Sequence, residues 1–451
     1  MPLLKLVAEA IGPFDRLELD FSDGNGKPHL GPHILAGVNG SGKTTALKTI
    51  AWLLSREGSG FPLREYWHLV REDFKSRALL LEYTASLSGR VVVRTNSGEL
   101  SAGNPERRAG LSDWARASSP GYSFVSYPSQ SLQFDQDSYL AMQLGEPTAK
   151  SPPPSTMAAA YRPSPVLKYL PAPNPQLAME NPSRGALAFE ATVNNLDVQS
   201  LLINRTAIGP ILSAQGKDST TADRSKKAFE RALSSIFSEP VALTVDGETF
   251  LQPRIVMRGQ TLNFSQLPDG VNAVLGYLAD YSMRFPGKSL DEAGGVMIID
   301  EIESHLHPRW QRAILPALKA ALPKTQIIVA THSPFVISST EDAVIHILDW
   351  DNKNQNAFLR DRISAPFGQS LQATLMDVFG VESEFDLETE QELDQWDTLR
   401  RKSRTTQQEK EFKRLAKMLA ARSEELRFIV GSSLEPISQS AVPKKQRRKA
   451  S

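Results

Sequence analysis

The sequence predicts an α/β fold with a mixed central sheet, and three apolar runs support this class. The first run leads into a glycine-rich loop, Gly37 to Thr44, and a helix-forming stretch follows the loop. The second run, Val296 to Ile299, ends in two adjacent acids. The third run, Gln326 to Ala330, ends beside His332. Apolar runs that end in polar residues are typical of buried strands whose carboxyl ends meet at a ligand site.

The glycine-rich loop fits the phosphate-binding pattern GxxxxGK[ST] at every defined position. Glycines let backbone N–H groups turn towards phosphate oxygens, and the positive end of the following helix faces the same anion. In this pattern Lys43 reaches the β- and γ-phosphates, and Thr44 holds Mg²⁺. The residues expected to contact the nucleotide here are Gly37, Asn39, Gly40, Ser41, Gly42, Lys43, Thr44 and Thr45. The chain is therefore predicted to bind ATP with Mg²⁺.

The two acids after the second run, Asp300 and Glu301, indicate phosphoryl transfer. Unpaired acids at the end of a core strand are costly, so a chemical role is the better explanation. Asp300 is predicted to bind the Mg²⁺ shell, and Glu301 to orient and deprotonate the attacking water. His332 is expected at the carboxyl edge of the same sheet, where ligands bind in open α/β folds.

Composition and charge are those of a globular enzyme. The chain has 451 residues, enough for two or three domains, with 40% hydrophobic and 23% charged residues. No apolar run is long enough to span a bilayer, and the first 14 residues lack the charged, long apolar and cleavage regions of a signal peptide, so a cytoplasmic protein without a membrane partner is expected. The lack of cysteine excludes disulfides, thiolate nucleophiles and cysteine-ligated zinc. With 51 basic and 51 acidic residues, global charge does not favour nucleic-acid binding, although a local patch could supply it.

Turn signals and alternation predict short strands in the first part of the chain. These strands are 3–8, 17–21, 34–36, 78–86, 90–95 and 121–127. The pair at 78–86 and 90–95 alternates in a way that suits an antiparallel lobe. After the last of these strands, a turn offers Gln130 as a further Mg²⁺ ligand, with Gln133 and Gln136 as competitors for that role.

The middle of the chain begins with a proline-rich stretch, 146–184, that a packed helix could not tolerate and that is predicted to be an exposed linker or insertion. Helical spacing follows at 191–204 and 225–237, and strand-like alternation at 241–256 around an Asp-Gly turn. From residue 366 the chain is predicted to be helical and charged, most clearly at 388–401 and 406–421. The basic tail, 444–449, is interpreted as a solvated terminus, with a nucleic-acid contact as the alternative.

The segment Phe264 to Gly270 precedes an apolar helix, 271–284, shortly before the acid-ended strand. The order of these features along residues 3–348 resembles the ABC-type ATPase head of the SMC/RecF superfamily. In that family, a short motif of LSGG or LSDG type opens a helix that contacts the γ-phosphate bound by the opposite subunit. The resemblance implies an ABC-type P-loop ATPase head with an antiparallel β lobe, a helical lobe and, in this chain, C-terminal helices.

The resemblance also implies roles for individual residues. Lys43 and Thr44 become the phosphate and metal residues, Asp300 the Walker B acid, Glu301 the catalytic base and His332 the γ-phosphate sensor. Pro268 stands where the family usually has serine. The substitutes at that helix start are the backbone N–H groups of Asp269 and Gly270 or the Ser265 hydroxyl.

The residues from Asp300 to Pro308 read DEIESHLHP, which is similar to the DExExHLHP form of stand-alone ATPases, including overcoming-lysogenisation-defect (OLD) proteins and the Septu ATPase PtuA. A zinc site made by His305, His307 and His332 is an alternative that needs a consistent ligand set. The remaining histidines show no partner pattern and are expected on the surface or as satisfied core residues: His29, His33, His68 and His346. Phe14 is the one candidate for adenine contact.

The end of the chain separates two branches of the family. OLD proteins carry a nuclease domain of Toprim type, and the acids of 380–386 could suggest one, but the polar helical sequence that follows argues against it. Residues 366–381 are instead similar to the tail of PtuA-type and retron-associated ATPases, which work with a separate HNH nuclease. Long coiled-coil arms are not expected, because no sustained heptad pattern interrupts the head.

Four parts are predicted: an N-terminal ATPase lobe, 1–145; a proline-rich insertion and helical lobe, 146–258; a C-terminal ATPase lobe, 259–363; and a helical region with the basic tail, 364–451. The predicted function is an ATPase that dimerises, or forms a higher homo-oligomer, around ATP and regulates a separate HNH-type nuclease in anti-phage defence. Nucleic acid is a further candidate partner. The alternative is a RecF-like DNA repair ATPase, followed by an ABC transporter subunit and a scaffold that binds nucleotide without hydrolysis.

Overall fold

The computed structural model describes residues 2–54, 77–82, 90–95, 158–161, 195–247, 251–285, 288–366, 368–381 and 385–431. The chain forms two compact units, Met1–Phe379 and Gly380–Ser451. The predicted α/β class is confirmed, because the first unit is built on a mixed sheet to which the described residues contribute ten strands. Several predicted features lie outside the described residues: the strand at 121–127, the three candidate glutamines, His68 and the basic tail.

The strands, in chain order, are β1 Leu3–Ile11, β2 Phe14–Asp20, β3 His33–Gly37, β4 Arg77–Glu82, β5 Arg90–Thr95, β6 Ala158–Tyr161, β7 Val241–Asp246, β8 Gln252–Met257, β9 Gln260–Leu262, β10 Gly294–Ile299, β11 Lys324–Ala330, β12 Val344–Asp351 and β13 Asn356–Ser364. The helices are α1 Lys43–Leu54, α2 Asn195–Ala214, α3 Thr220–Phe237, α4 Asp269–Met283, α5 Pro308–Ala321, α6 Pro334–Ile337, α7 Leu371–Phe379, α8 Leu387–Arg400, α9 Thr406–Arg422 and α10 Glu424–Val430.

The large sheet has the strand order β5-β4-β1-β2-β13-β12-β3-β11-β10-β6. The five strands from β12 to β6 in this order run parallel to one another. The β5, β4, β1 and β2 strands pair antiparallel, which confirms the predicted antiparallel lobe. A separate antiparallel sheet holds β7, β8 and β9. Because β3, β11 and β10 are parallel neighbours, their carboxyl ends meet at one edge of the sheet.

The three central strands are buried along nearly their whole length. In β3 every residue is buried, and in β10 only the first, Gly294, is partly exposed. Strands covered on both faces read as continuous apolar runs, which is the pattern that the sequence shows at these places. These strands therefore hold the residues that follow them in a rigid frame.

The helices beside the sheet keep a narrow apolar face. In α3, Phe229, Leu233 and Ile236 are buried at helical spacing, while charged residues cover the opposite side. The helix ends at Ser238, whose φ of 55° is the left-handed conformation common at helix ends. No helix in the described part of the chain is long and apolar enough to cross a membrane.

Two predictions about the middle of the chain differ from the structure. Residues Ala158–Tyr161 form β6 and pair parallel with β10, although they lie in the stretch predicted as an exposed linker. A short strand of three alanines and a tyrosine can pair with a core strand without the long apolar run that sequence patterns detect. The helix predicted at 191–204 extends as far as Ala214, with Pro210 inside it. A proline is a strong signal for a boundary, but here the helix continues through it.

The second unit is helical, as predicted. Its core contains Trp396, Phe412, Leu415 and Leu419 from α8 and α9. Asp386 accepts hydrogen bonds from the Thr389 backbone N–H and hydroxyl at 3.0 and 2.7 Å and so caps α8. The described residues 385–431 contain helices and turns only.

Candidate functional site

The loop between β3 and α1 has a backbone that only glycine adopts readily. Gly37, Gly40 and Gly42 have φ values of 139°, 83° and 86°. A side chain on Gly37 would overlap the carbonyl oxygen of Leu348, and one on Gly42 would overlap the ring of Phe14. The space around Gly40 is open, so that position needs glycine for its conformation alone. The loop is therefore tightly wrapped against the sheet at both ends.

Lys43, the first residue of α1, directs its ammonium group into this loop. Its Nζ donates hydrogen bonds to the carbonyl oxygens of Gly37 and Val38, at 3.0 and 2.9 Å. The residue is 6% exposed, and burial lowers the pKa of Lys43 to about 8, while the nearby carboxylates, Asp300 foremost, act in the opposite direction. The ammonium group of Lys43 therefore lies within the loop, next to the N-terminal, positive end of the α1 helix dipole.

Thr44 and Asp300 join the two predicted motifs directly. The Thr44 hydroxyl donates a hydrogen bond to Oδ2 of Asp300 at 2.9 Å, although 256 positions separate the residues in the chain. Asp300 follows β10 and is 1% exposed. The β11 strand lies between β3 and β10, so the two motifs meet across one intervening strand.

The side chains at this place fit a nucleotide phosphate and Mg²⁺. The Ser41 hydroxyl is fully buried and has no hydrogen-bond partner among the described residues, so it is available to a further polar group. Thr44 and Asp300 present hard oxygen atoms, the ligand type that Mg²⁺ prefers. The glycine loop supplies backbone N–H groups and Lys43 supplies the cation for phosphate oxygens.

Glu301 begins the loop between β10 and α5 in a strained conformation. Its φ of 52° is uncommon for a residue with a side chain, and such outliers concentrate at functional sites. The conformation is held from both sides, because Ile302 N–H donates to the Ala330 carbonyl at 3.2 Å and Ser304 N–H donates to the Glu301 carbonyl at 2.9 Å. The Ser304 hydroxyl also donates to Oε2 of Glu301 at 3.3 Å. The loop therefore fixes the direction in which Glu301 leaves the sheet.

Glu303 is a functional candidate that sequence analysis missed. One of its carboxylate oxygens accepts from the Thr331 hydroxyl and the other from the His332 backbone N–H, both at 2.6 Å. Hydrogen bonds to an ionised acceptor are short and strong. The signal was present in the sequence as the second acid of the DExE pattern, but its partners lie 28 and 29 residues further on.

A chain of hydrogen bonds continues from Glu303 through the residues after β11. The Ser333 N–H donates to Oγ1 of Thr331 at 3.0 Å, and the Ser333 hydroxyl donates to Oε1 of Gln311 at 2.6 Å. Gln311 lies on α5 and donates in turn to the Leu306 carbonyl at 2.9 Å. These bonds close a ring that ties the loop after β10 to the loop after β11.

His332 lies at the carboxyl end of β11, as predicted, with an exposed side chain. Partial burial lowers the pKa of His332, and the positive charge of Lys43 lowers it further, while Glu301 acts in the opposite direction. The charges of Lys43 and Glu301 therefore both act on the pKa of the His332 imidazole. A neutral imidazole can donate one hydrogen bond and accept another.

The segment aligned with the family's partner-contacting motif starts α4. The helix begins at Asp269, and no side chain of Pro268 can cap it. The Ser265 hydroxyl donates to Oδ1 of Asn263 at 2.7 Å, within a short 3₁₀ turn before the helix. Pro268 and Asp269 are exposed and Gly270 is buried. Ser265 is exposed as well, but its hydroxyl already donates to Asn263, so the two predicted substitutes for serine differ in their hydrogen bonding within the chain and both remain predictions.

Gly270 has a packing role within the chain as well. A Cβ atom at this position would lie 2.5 Å from the carbonyl oxygen of His305. His305 has a φ of 64° and belongs to the loop after β10. The start of α4 is therefore packed closely on the loop that carries Glu301 and Glu303, which the sequence alone did not suggest.

The zinc alternative finds no support among the described residues, where no group of three or more His, Cys, Asp or Glu side chains could hold a metal ion. His307 caps α5 instead, and its Nδ1 accepts from the Arg309 N–H at 3.2 Å. His305 is exposed on the preceding loop. A cap and a solvent-facing loop residue explain both histidines without a metal.

Two other histidines form a buried pair between β3 and β12. Nε2 of His33 bonds to the His29 carbonyl at 3.1 Å, so its Nδ1 accepts from Nε2 of His346 at 3.3 Å. Burial lowers the pKa of His346 to about 3 and holds the pKa of His33 well below its usual value. These are core residues, as expected, although Nδ1 of His346 has no hydrogen-bond partner within the described residues.

The suggestion that Phe14 contacts adenine is wrong in this structure. Phe14 is fully buried and packs beneath Gly42, so its ring supports the phosphate loop from below. A base cannot stack on a ring that the protein already covers. Gln130, the proposed additional Mg²⁺ ligand, lies outside the described residues.

Comparison with known proteins finds similarity over parts of this chain. Residues 191–338 match the family model described as "AAA domain, putative AbiEii toxin, Type IV TA system". The chain is 26% identical over 151 residues to the Septu protein PtuA of Bacillus mycoides (strain KBAB4), covering 33% of this chain and 21% of that protein. The predicted similarity to PtuA-type ATPases is confirmed over the aligned part of the chain. The matched relatives extend well beyond their aligned parts, since this chain spans about a fifth of PtuA's length.

Two retron proteins are also similar. The "Retron Vc95 probable ATPase" of Vibrio cholerae serotype O1 biovar El Tor is 27% identical over 155 residues, which cover 33% of this chain and 29% of that protein. The "Retron Ec83 probable ATPase" of Escherichia coli is 34% identical over 93 residues, covering 20% and 17%. The aligned regions are therefore partial in both chains.

Among solved structures, the SMC head domain from Thermotoga maritima is 15% identical with a TM-score of 0.38, covering 81% of this chain and 99% of that chain. The SMC head bound to the C-terminal winged-helix domain of ScpA is 10% identical with a TM-score of 0.43, covering 81% and 98%.

Proposed function

We propose that this chain hydrolyses ATP, dimerises around the nucleotide and regulates a separate nuclease in anti-phage defence. The observation that carries the ATPase proposal is the hydrogen bond between Thr44 and Asp300, at 2.9 Å, which joins the phosphate loop to the acid after β10. Glu301 follows Asp300 directly, and His332 lies at the end of the strand between the two motifs. These are the parts that phosphoryl transfer requires.

In this proposal the phosphate loop and Lys43 bind the β- and γ-phosphates of the substrate ATP. Thr44 and Asp300 hold Mg²⁺, which, when bound, neutralises charge on the phosphate oxygens. Glu301 accepts a proton from the attacking water, and its strained backbone sets its direction. His332 donates a hydrogen bond to the γ-phosphate, a role that its lowered pKa favours because the neutral ring keeps one N–H.

Dimerisation is proposed from the surfaces around the site. Pro268, Asp269, His305 and His332 are exposed, so the start of α4 and the edge of the sheet are accessible to a second copy. The backbone N–H groups at the start of α4 are suited to an anion held by the partner. Asp269 adds a negative charge at that place, which makes the contact weaker than one made by serine and glycine.

Light scattering after gel filtration tests dimerisation. The Glu301→Gln variant with ATP and Mg²⁺ should elute at twice the monomer mass of 49.7 kDa, because ATP accumulates without turnover. Replacing Lys43 with Ala in the same background should return the mass to that of the nucleotide-free chain. A mass that does not depend on ATP would contradict the proposed dimer.

Regulation of a nuclease rests on the similarity to PtuA and retron ATPases. Mass spectrometry of proteins that co-purify with the tagged chain, expressed with its neighbouring genes, tests this part. A stoichiometric HNH-type nuclease supports it. A chain that purifies alone and whose turnover is stimulated by DNA would favour the RecF-like repair alternative. The cytoplasmic location predicted from the sequence remains a prediction.

A further inference from the structure

Charge in the second unit is separated along the chain. The segment from Asp386 to Asp397 contains six acids and no basic residue, whereas the segment from Arg400 to Lys417 contains eight basic residues and two acids. The whole chain has no net charge, so this separation is local. Charges of one sign that cluster on a small helical unit create a local electrostatic potential, even when the net charge of the chain is zero.

The basic residues of α9 lie on a single face, which we call the α9 stripe: Lys410, Lys413, Arg414 and Lys417. Their spacing places them within an arc of roughly 100° around the helix. All four are exposed. The buried residues of α9, among them Phe412, Leu415 and Leu419, occupy the opposite face. The α9 stripe is therefore fully presented to solvent by the packing of its own helix.

Local acids neutralise the α9 stripe only in part. Lys413 lies 3.8 Å from Glu409, and Arg414 lies 2.7 Å from Glu411. Both basic side chains are 60% exposed, and exposed pairs of this kind are worth little. Lys410 and Lys417 have no ion pair with any of the described residues. The centre of the α9 stripe thus remains positive.

The turn before α9 extends the positive surface on a rigid base. The Arg404 guanidinium lies 4.1 Å from the centre of the Phe412 ring, and Phe412 stacks on Trp396 at 5.8 Å. Arg404 also donates to the Leu399 carbonyl at 2.9 Å. Arg401 and Lys402 lie in this turn and are exposed, and Arg401 forms an exposed ion pair with Asp397 at 2.7 Å, which is worth little. The turn is therefore fixed by packing, while two of its cations face solvent.

The composition of this surface distinguishes between classes of partner. Protein interfaces are depleted in lysine and enriched in aromatic residues at their centres, and the α9 stripe has the opposite composition. The exposed large apolar residues of this unit lie outside α9: Val381, Leu387, Phe428 and Ile429. Lysine acts as a point charge for phosphate. From Lys410 to Lys417 the helix rises about 10 Å, which spans several phosphates of one strand.

We propose that the α9 stripe, with Arg401 and Lys402, binds the phosphate backbone of nucleic acid. The binding is sequence-independent, because the surface offers cations and no pattern for reading bases. It does not depend on ATP hydrolysis, since none of these residues belongs to the nucleotide site.

Fluorescence anisotropy of the full chain without nucleotide tests the proposal, with a labelled 30-base-pair DNA duplex and an RNA duplex of the same sequence. The dependence of affinity on salt concentration is compared for the wild type and for the Lys410→Gln/Lys417→Gln double variant. Log affinity falls with log salt concentration, and each lost phosphate contact makes this slope less negative by about 0.9. The slope of the double variant should therefore be less negative than that of the wild type by roughly 2. Glutamine has a helix propensity close to that of lysine, so α9 should stay folded.

The matched control is Lys227→Gln/Arg231→Gln, which removes two exposed basic residues from α3 in the first unit. The slope of log affinity against log salt concentration for this control variant should equal that of the wild type. Binding to DNA, to RNA or to both duplexes supports the proposal, and the preference identifies the source of the phosphates.

Three results would overturn it. The first is no binding to either duplex at 50 mM salt. The second is an unchanged slope in the α9 variant, which would assign binding to another surface such as the basic tail. The third is loss of a co-purifying protein from the α9 variant with nucleic-acid binding intact, which would make the α9 stripe a protein-binding surface.

Discussion

The Glu303 carboxylate accepts a hydrogen bond of 2.6 Å from the backbone N–H of His332. Its other oxygen accepts from the Thr331 hydroxyl at the same distance. Glu303 belongs to the loop that begins with Glu301, so one side chain positions the residues after β11 relative to those after β10. The proposed base and the proposed phosphate sensor are thereby held in one arrangement.

Replacing Glu303 with Ala should lower kcat for ATP by about 10- to 100-fold, with little change in ATP affinity. The variant leaves the His332 N–H without its charged acceptor, and a hydrogen bond to a charged group is worth about 1.5–3 kcal/mol. Steady-state phosphate release and binding of a fluorescent ATP analogue measure the two quantities.

The Glu303→Gln variant distinguishes a positioning role from a direct chemical one. A glutamine oxygen can still accept from His332 N–H, and its amide can donate to Thr331, whose hydroxyl can rotate. The activity of the Gln variant should therefore lie well above that of the Ala variant. Equal loss in both variants would indicate that the negative charge of Glu303 itself takes part in catalysis.

Gly270→Ala should destabilise the first unit by about 1–3 kcal/mol, because the added methyl group lies 2.5 Å from the His305 carbonyl oxygen. Urea unfolding measures this loss. Gly431→Ala is the control, since a Cβ at that position meets none of the described residues within 4 Å and its backbone is helical. Equal stability of the Gly270 variant and the wild type would show that α4 and the loop can separate at little cost.

The free energy of unfolding should fall as pH decreases from 6.5 towards 3, and the His33–His346 pair should cause part of that fall. Burial lowers the pKa of His346 to about 3 in the folded chain, whereas an unfolded histidine has a pKa near 6.5. The unfolded state therefore binds a proton in this range that the folded state does not. The stability contributed by the neutral His346 ring is fully present above about pH 6.5. Below about pH 6.5 it is lost at about 1.4 kcal/mol per pH unit.

His346→Gln removes this titration while carboxylates elsewhere are unchanged. Urea unfolding at pH 7.5 and pH 5.0 should give a smaller pH dependence for the variant than for the wild type, by about 2 kcal/mol. The comparison of the two dependences isolates the histidine. If both proteins lose the same stability between these pH values, the ring of His346 is already protonated or solvated in the folded chain.

Thr44→Val should abolish most ATP turnover, whereas Thr44→Ser should retain it. Valine has the same shape but loses the hydroxyl that bonds to Asp300 at 2.9 Å and that is proposed to hold Mg²⁺. Serine keeps the hydroxyl. Phosphate release at increasing Mg²⁺ concentration should show a raised requirement for the metal in the valine variant. Equal metal requirements in both variants would remove Thr44 from the metal site.

The elements of the site that follow a local pattern could be predicted from sequence. The glycine spacing from Gly37 to Thr44 specifies a phosphate-binding loop, and Asp300 follows an apolar run that has the pattern of a buried strand. Because the strands before both features belong to one set of parallel strands, the loop and Asp300 meet at the same edge of the sheet. The antiparallel lobe and the C-terminal helices were also predictable, because alternation and helical spacing are local signals.

The remaining features depend on contacts that no local pattern reports. Glu303 could not be distinguished from a solvated acid until β11 placed His332 beside it. Gly270 was assigned to nucleotide contact from its place in a motif, while its packing on His305 depends on the path of a loop 35 residues away. Phe14 was the candidate for adenine contact, but tertiary packing buries its ring against Gly42.

ATP turnover by the Glu301→Gln variant tests the central claim most directly. Phosphate release and ATP binding would be measured on the purified full chain and on the variant, with Mg²⁺ present. We expect the wild type to hydrolyse ATP, and the variant to bind ATP but turn it over at least 100-fold more slowly, because loss of a general base costs about 10²- to 10⁴-fold. A variant that hydrolyses ATP as fast as the wild type, or a wild-type chain that binds no ATP, would contradict the account.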